Sequence, residues 1–414
     1  MRDPGRVAAA VDVLSTFKDR SLPLSVLLND WARNARFAGS KDRAFVRGLC
    51  LDVLRRWRSF DAENSVRCAV YLTLRDVWRW ESSRVEAAFA GDHGPGWLTT
   101  EEMSVEPSAQ PDIPSFCEGL TPRLDQDQLS SMLERAPVDL RANTLKASPG
   151  KVLKALASLG ADSSPMSSVG LRIPPPPAAE KGPGVTVIPA FGKGWVEVQD
   201  EGSQLTVLAA GPLDGAQVLD LCAGAGGKTL ALAASMGNSG QIHAYDAVPE
   251  RLAPIHERLR RAGARNVQVI GANERDRLSA LRDRMDLVFV DAPCSGSGTW
   301  RRHPDTKWRL TPAHLVSRKE EQDVILREAA TFVKPGGVLH YVTCSYFDAE
   351  NEDRVDAFLS SDSGFALEHP LAGLPSGTLR DQLEPFATGS ALRLAPWSSG
   401  TDAFTVLRLR RQTG

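Results

Sequence analysis

Two cysteines in this sequence each follow what reads as a short buried strand. Residues 285–290 lead into Asp291-Ala292-Pro293-Cys294-Ser295-Gly296-Ser297-Gly298, and residues 338–342 lead into Thr343-Cys344-Ser345. Taken by itself, the Cys294 stretch is equally a strand-to-loop turn around a small buried cysteine. In an open α/β sheet, however, ligands bind at the carboxyl ends of the strands, so both thiols are expected on one rim. Such a pair admits three readings: a disulfide, part of a metal site, or two groups that do chemistry together. Reducing surroundings argue against the first, and no His or third Cys has ligand spacing for the second, His303 and His340 being isolated. The third has a chemistry that demands two thiols. Carbon 5 of cytosine is a poor nucleophile, but a thiolate adding to carbon 6 turns the ring into an enamine that can attack a methyl donor. A proton must then leave carbon 5 before the thiol is eliminated, which requires a second group. An acid beside the ring nitrogen, here Asp291, would stabilise the activated base, and Lys228 would position Asp291 or lower a thiol pKa.

A glycine turn, Asp220-Leu221-Cys222-Ala223-Gly224-Ala225-Gly226-Gly227-Lys228-Thr229, follows a strand at 217–221. Glycines there let the backbone approach a ligand and aim helix amides at it. It is not a P-loop, because position 222 is Cys where that motif needs Gly, and Gly224-x-Gly226 only comes near the dinucleotide fingerprint. Asp246, closing a second strand, suits a pair of ribose hydroxyls. Asn273, just past a third, sits where an adenine amino group would be read. On these residues alone, a nucleotide-dependent dehydrogenase and a methyl-donor enzyme both remain open.

The elements that position these groups alternate. Strands are expected at 217–221, 241–245, 267–270, 286–290 and 338–342, with helices at 228–234, 249–262 and 312–333 between them. Strict alternation predicts a parallel, doubly wound α/β sheet from residue 206 to 414, with 391–394 and 403–410 as possible closing strands. Residues 119–205 read as a small α+β unit. Residues 93–118, rich in Gly, Pro, Ser and acids, read as a linker, and 1–92 as all helical, with Ser40 capping a helix from Lys41.

Composition bounds the partners. The 414 residues carry a net charge of -2, so a nucleic acid must be met by a local patch. One candidate is 33–58, where eight Lys or Arg (33, 36, 41, 43, 47, 55, 56, 58) face two Asp (42, 52); it is either an RNA-facing surface or a solvated helix face. Six scattered cysteines form no disulfide framework or metal motif. No signal core and no run of about 18 apolar residues occurs, so a cytoplasmic chain with reduced thiols, away from membranes, is expected.

The turn 220–229, the Asp291–Gly298 motif and Tyr341-Val342-Thr343-Cys344-Ser345 together resemble the Nop/Sun (NSUN) family of RNA cytosine-carbon-5 methyltransferases, which includes a bacterial enzyme acting on 16S ribosomal RNA. The resemblance spans roughly 120–410. Arg141-Ala142-Asn143-Thr144-Leu145-Lys146 is similar to that family's RNA-domain motif and residues 198–203 to its domain junction. Gly39-Ser40-Lys41-Asp42-Arg43 and Leu54-Arg55-Arg56 are similar to the antitermination-factor-like (NusB-like) domain that bacterial members place first. The resemblance implies a class I methyltransferase sheet, S-adenosylmethionine as cofactor, no metal, and ribosomal RNA as partner of a chain expected to be monomeric. Transfer RNA is the alternative substrate, and a non-catalytic assembly factor the alternative function. It also implies roles. Cys344 is the nucleophile and Cys294 assists release, with Asp291 and Lys228 in the same centre. Cys222, Ala223, Gly224, Ala225, Gly226, Gly227, Lys228, Asp246, Asn273 and Asp291 line the cofactor, and Arg141 and Asn143 contact RNA. DNA cytosine methyltransferases put the nucleophile in the Pro-Cys motif, so Thr343-Cys344-Ser345 is what selects RNA. Three positions depart from the family pattern: Gly224-Ala225 replaces Ala-Pro, Asn273 replaces an acid, and Asp402-Ala403-Phe404-Thr405 replaces Asp-Gly-Phe-Phe.

Overall fold

The computed structural model describes every residue except 122, 123, 181, 362, 363 and 414. Two compact units emerge. The first comprises Met1–Ala136, Pro175–Pro183 and Trp300–Thr311; the second comprises Pro137–Pro174, Gly184–Thr299 and Pro312–Gly414.

The first unit is helical. Helices Asp3–Phe17, Leu24–Asn34, Ser40–Arg55, Val66–Leu72 and Ser82–Phe89 enclose Val7, Leu14, Phe17, Leu49, Leu54, Trp57 and Phe89. Gly39, not Ser40, is the cap of the third helix, and the Asp42 carboxylate accepts the Gly39 amide at 2.9 Å. The stretch read as a linker folds back here: Asp112 accepts the amides of Arg58 and Ser59, both at 3.0 Å. Trp300–Thr311 also belongs to this unit. Trp308 enters its core and donates its indole N–H to the Leu54 carbonyl at 2.6 Å, and buried Lys307 donates to the Arg55 carbonyl at 3.1 Å. Three of the eight basic residues in 33–58 do not form a free basic face. Arg55 is buried against Asp52, Arg58 pairs with Glu118, and Arg56 is half-buried.

The second unit holds two sheets. The smaller contains β1 (Val138–Ala142), β2 (Asp162–Ser163), β3 (Gly170–Ile173) and β4 (Val196–Val198), antiparallel in the order β2-β3-β1-β4. The larger contains β5 (Gln217–Asp220), β6 (Gln241–Tyr245), β7 (Val267–Ile270), β8 (Met285–Asp291), β9 (Val333–Thr343), β10 (Phe365–Glu368), β11 (Ala387–Thr388), β12 (Ala391–Leu394) and β13 (Phe404–Arg411). Among the described residues its order is β11-β12-β13-β9-β8-β5-β6-β7, with β10 pairing β13. Strands β5 to β9 pair in parallel, as alternation with helices requires, whereas β10 to β13 pair antiparallel. Helical residues pack on both faces of the sheet, Leu326 and Val355 on one and Leu205 and Leu232 on the other, so successive side chains, which point opposite ways, are both buried. In β8, Val288 and Val290 enter one core while Leu287 and Phe289 enter the other. Two expected helices are shorter. The 249–262 segment breaks into Pro249–Leu252 and Ile255–Ala262, where Pro254 has no amide to continue the ladder. The long helix stops at Ala330, and Pro335-Gly336-Gly337 lies inside β9, beside an irregularity in its register with β8.

Candidate active site

Parallel order puts β5, β6, β8 and β9 side by side with their carboxyl ends on one edge, and the chemistry-bearing residues follow there. After β5 the chain turns through Gly224 (φ +49°) and Gly226 (φ +83°) into the helix Gly227–Ser235. A Cβ on Gly226 would stand 2.6 Å from Ile255 Cγ1, so the turn excludes a side chain there. Asp246 braces the turn. Its Oδ2 accepts the Gly224 amide at 2.9 Å and its Oδ1 the Val248 amide at 2.8 Å. Each oxygen keeps a lone pair for another donor.

Asp220 is fully buried, and its Oδ2 accepts the Thr229 hydroxyl at 2.6 Å. Its Oδ1 has no partner among the described residues. Burial, reinforced by the nearby charges of Asp291 and Asp246, pushes the Asp220 carboxyl up to about 7. Burial and the same acids also hold the Cys222 thiol protonated. Asn273 lies exposed in the turn after β7, which is closed by the Gly271 amide on Glu274 at 2.8 Å.

At the end of β8, Asp291 Oδ2 pairs with Lys228 Nζ at 2.7 Å. The Lys228 ammonium also lies 5.1 Å from the centre of the Phe404 ring. Three residues on, Cys294 Sγ stands 3.4 Å from Cys344 Sγ, and both thiols are half-buried. The hydrogen bond to Cys344, then burial and the Glu350 charge, push the Cys294 thiol far up, so it keeps its proton at neutral pH. The structure therefore brings Lys228, Asp291, Cys294 and Cys344 together beside the glycine turn.

The residues behind the two cysteines were not anticipated. Glu350, fully buried, accepts the Ser295 amide at 2.7 Å, the Ser295 hydroxyl at 2.5 Å and the Ser345 hydroxyl at 2.6 Å. The residue after each cysteine is thus tied to one carboxylate. Gln322 donates to the Pro293 carbonyl at 2.9 Å. Asn351 takes the Thr343 hydroxyl at 2.5 Å and donates to the carbonyls of Ser345 and Phe347. The Gly298 amide donates to the Cys344 carbonyl at 2.9 Å, and a Cβ on Gly298 would meet the Ala403 carbonyl oxygen at 2.3 Å. The one sequence signal for Glu350 and Asn351 is their place six and seven residues after Cys344.

Arg141 and Asn143 are corrected by their burial. Arg141 sits on β1, between β3 and β4, and is 3 % exposed; its Nε donates to Gln199 Oε1 at 2.7 Å, and burial lowers its pKa to about 10. Asn143 is 2 % exposed and donates to the carbonyls of Gly194 and Ala262, both at 2.8 Å. Both are internal braces rather than a surface for RNA. Among the described residues no cluster of His, Cys, Asp or Glu is placed to hold a metal ion, and no helix is long and apolar enough to cross a membrane.

Known proteins resemble this chain over both parts. The family model for "16S rRNA methyltransferase RsmB/F" matches residues 206–410. A "Probable ribosomal RNA small subunit methyltransferase B" of Synechocystis is 30% identical over 78% of this chain and 71% of its own. Three further relatives named for the same small-subunit activity, 32–34% identical, are matched over 49–60% of their own length. The crystal structure of PH0851 superposes with a TM-score of 0.72 at 22% identity, over 99% of each chain. That of NSun6 from Pyrococcus horikoshii with SFG superposes at 0.61 and 20% identity, over 72% of this chain and 97% of its own. Both show the same fold. The cofactor is S-adenosylmethionine. The glycine turn, the braced Asp246 and Asp291, whose charges both act on buried Asp220, fit a cationic donor that carries a nucleoside. On this evidence the chain belongs to the RsmB/F methyltransferases of the Nop/Sun family.

Proposed function

We propose that this chain transfers a methyl group to carbon 5 of a cytosine in RNA, with 16S ribosomal RNA in the cytoplasm as the target. The observation that carries this reading is the thiol pair: Cys294 and Cys344 at 3.4 Å, next to the Asp291–Lys228 ion pair. A cytosine must leave its stack to reach such a rim. Cys344, as thiolate, adds to carbon 6, and the ring electrons move toward carbon 5. Asp291, whose Oδ2 is held by Lys228, faces the ring nitrogen and, with a proton on its other oxygen, donates to that nitrogen as negative charge shifts onto the base. S-adenosylmethionine supplies an electrophilic methyl group on a sulfonium. Once carbon 5 is methylated, its proton leaves to a base, the ring double bond reforms and the bond from carbon 6 to sulfur breaks. Cys294, in contact with the Cys344 sulfur, gives that sulfur its proton as the bond breaks and, as the thiolate so formed, is the base that takes the carbon-5 proton.

Turn residues 222–227 with Asp246 and Asp291 hold the donor in this reading, and Asn273 reaches its adenine. Bisulfite sequencing of ribosomal and transfer RNA, with and without this protein, tests the proposal. A single protein-dependent protected cytosine in 16S RNA is expected. Protection in transfer RNA alone would move the substrate, and no protection in either, with RNA binding intact, would mean an assembly factor without turnover.

A further inference from the structure

Three exposed arginines of the helical unit flank one loop. Helices Leu24–Asn34 and Ser40–Arg55 are joined by a turn, and Asn29, Ala32, Arg33, Arg36 and Arg43 line an open groove of about 440 Å³ beside it. Arg33 carries one acid, Asp30, at 3.0 Å, yet its side chain is 80% exposed. Arg36 and Arg43 have no carboxylate partner among the described residues, and Arg43 spends only its Nε, on the Ala38 carbonyl at 3.1 Å. In the middle of the turn stands Phe37, 76% exposed. A lone exposed aromatic is ordinary. An exposed ring within a run of guanidinium groups that own few acids is a combination single-stranded nucleic acid uses: cations for the backbone and a face for a base. A base in a duplex offers no free face to such a ring, and a chain of net charge -2 must meet a polyanion through a local patch.

We propose that this loop is a binding site for single-stranded RNA. Arg33, Arg36 and Arg43 take backbone phosphates, and Phe37 stacks on one unpaired base. The proposal rests on the reading of the chain as an RNA enzyme and gives that enzyme a grip on unpaired RNA separate from the thiols.

The test uses the full chain and a labelled, cytosine-free RNA oligomer of about ten nucleotides, alone or annealed to its complement. Fluorescence anisotropy is read over a salt series. Phe37→Ala is expected to weaken the single strand about 5- to 100-fold and to leave the duplex and the salt slope unchanged. Replacing Arg33, Arg36 and Arg43 by Gln is expected to lower the slope of log affinity against log salt by about 2, at about 0.7 per phosphate contact. All four side chains are exposed, so the variants fold, and thermal melting checks it. Unchanged binding in either variant, or equal loss on single strand and duplex for Phe37→Ala, overturns the proposal and would leave Phe37 as a protein-facing residue. The two readings fail separately. Methylated cytosine with loop-independent oligomer binding sinks only this site, whereas loop-dependent binding without cytosine methylation sinks only the proposed activity.

Discussion

The sulfur atoms of Cys294 and Cys344 lie 3.4 Å apart although 50 residues of sequence separate them. Side-by-side pairing of β8 and β9 makes this possible, because each cysteine follows the carboxyl end of its strand. At that distance only one of the two is free to act as thiolate, and the raised Cys294 thiol is the one that keeps its proton. The two substitutions are therefore expected to differ. Cys344→Ala abolishes methylation and leaves no covalent adduct on denaturing gels. Cys294→Ala adds to the base but fails to release it, so a denaturant-resistant RNA–protein complex accumulates. If Cys294→Ala behaves like Cys344→Ala, the division of labour between the thiols is wrong.

Glu350 is expected to act through the cysteines. Its carboxylate holds the residue after each of them, so Glu350→Gln loses one acceptor oxygen and with it either both serine hydroxyls or the Ser295 amide and Gln322. Displacing a reacting group by about 1 Å costs on the order of 100-fold in rate. The expected signature is a lower kcat with donor affinity unchanged by calorimetry, and a Cys294 thiol that titrates lower because the Glu350 charge is gone. A variant that alkylates with the wild-type pH profile would show that Glu350 only fills space.

Much of this site is legible in sequence, for a physical reason. Apolar runs such as 287–290 fill both faces of a buried sheet, and an acid, glycine or cysteine at their ends is conspicuous against them. Glu350 is not conspicuous. It lies among Asp348, Glu352 and Asp353, which read as a solvated charge run, and only the fold turns one of them inward. Arg141 misleads in the opposite way. Its charge suggests a surface, but β1 has a neighbour on each side and Gln199 accepts its Nε–H inside. The antiparallel half of the sheet is equally hidden, because strand direction is set by pairing partners far away in sequence.

The helical unit has its own weak point in Asp52. This buried carboxylate takes Arg55 at 2.6 Å, the Trp78 indole at 2.7 Å and Arg135. Removing one partner of a buried ion pair typically costs about 3–5 kcal/mol, because the other charge is left unpaired. Asp52→Ala is expected to destabilise this unit by that amount in urea unfolding, with Trp78 fluorescence as the probe. A loss below about 1 kcal/mol would mean that water replaces the carboxylate.

Asp220 gives the stability of the second unit a pH dependence with a definite sign. Its carboxyl titrates near 7 in the folded chain and near about 3.9 when unfolded. Between those values the folded state binds the extra proton, so stability falls as pH rises and levels off above about 7. Two pH units within that window correspond to about 2–3 kcal/mol. Asp220→Asn removes the titration while keeping an oxygen for Thr229, at the expense of an amide N–H facing the position where Oδ1 now has no partner. The variant is expected to be weaker at pH 5 but to lose less stability than wild type between pH 5 and 7. Denaturant midpoints at the two pH values, read for both chains, give that difference directly. Equal losses in the two chains would mean that Asp220 is already ionised at pH 5, with a partner for Oδ1 such as an ordered water.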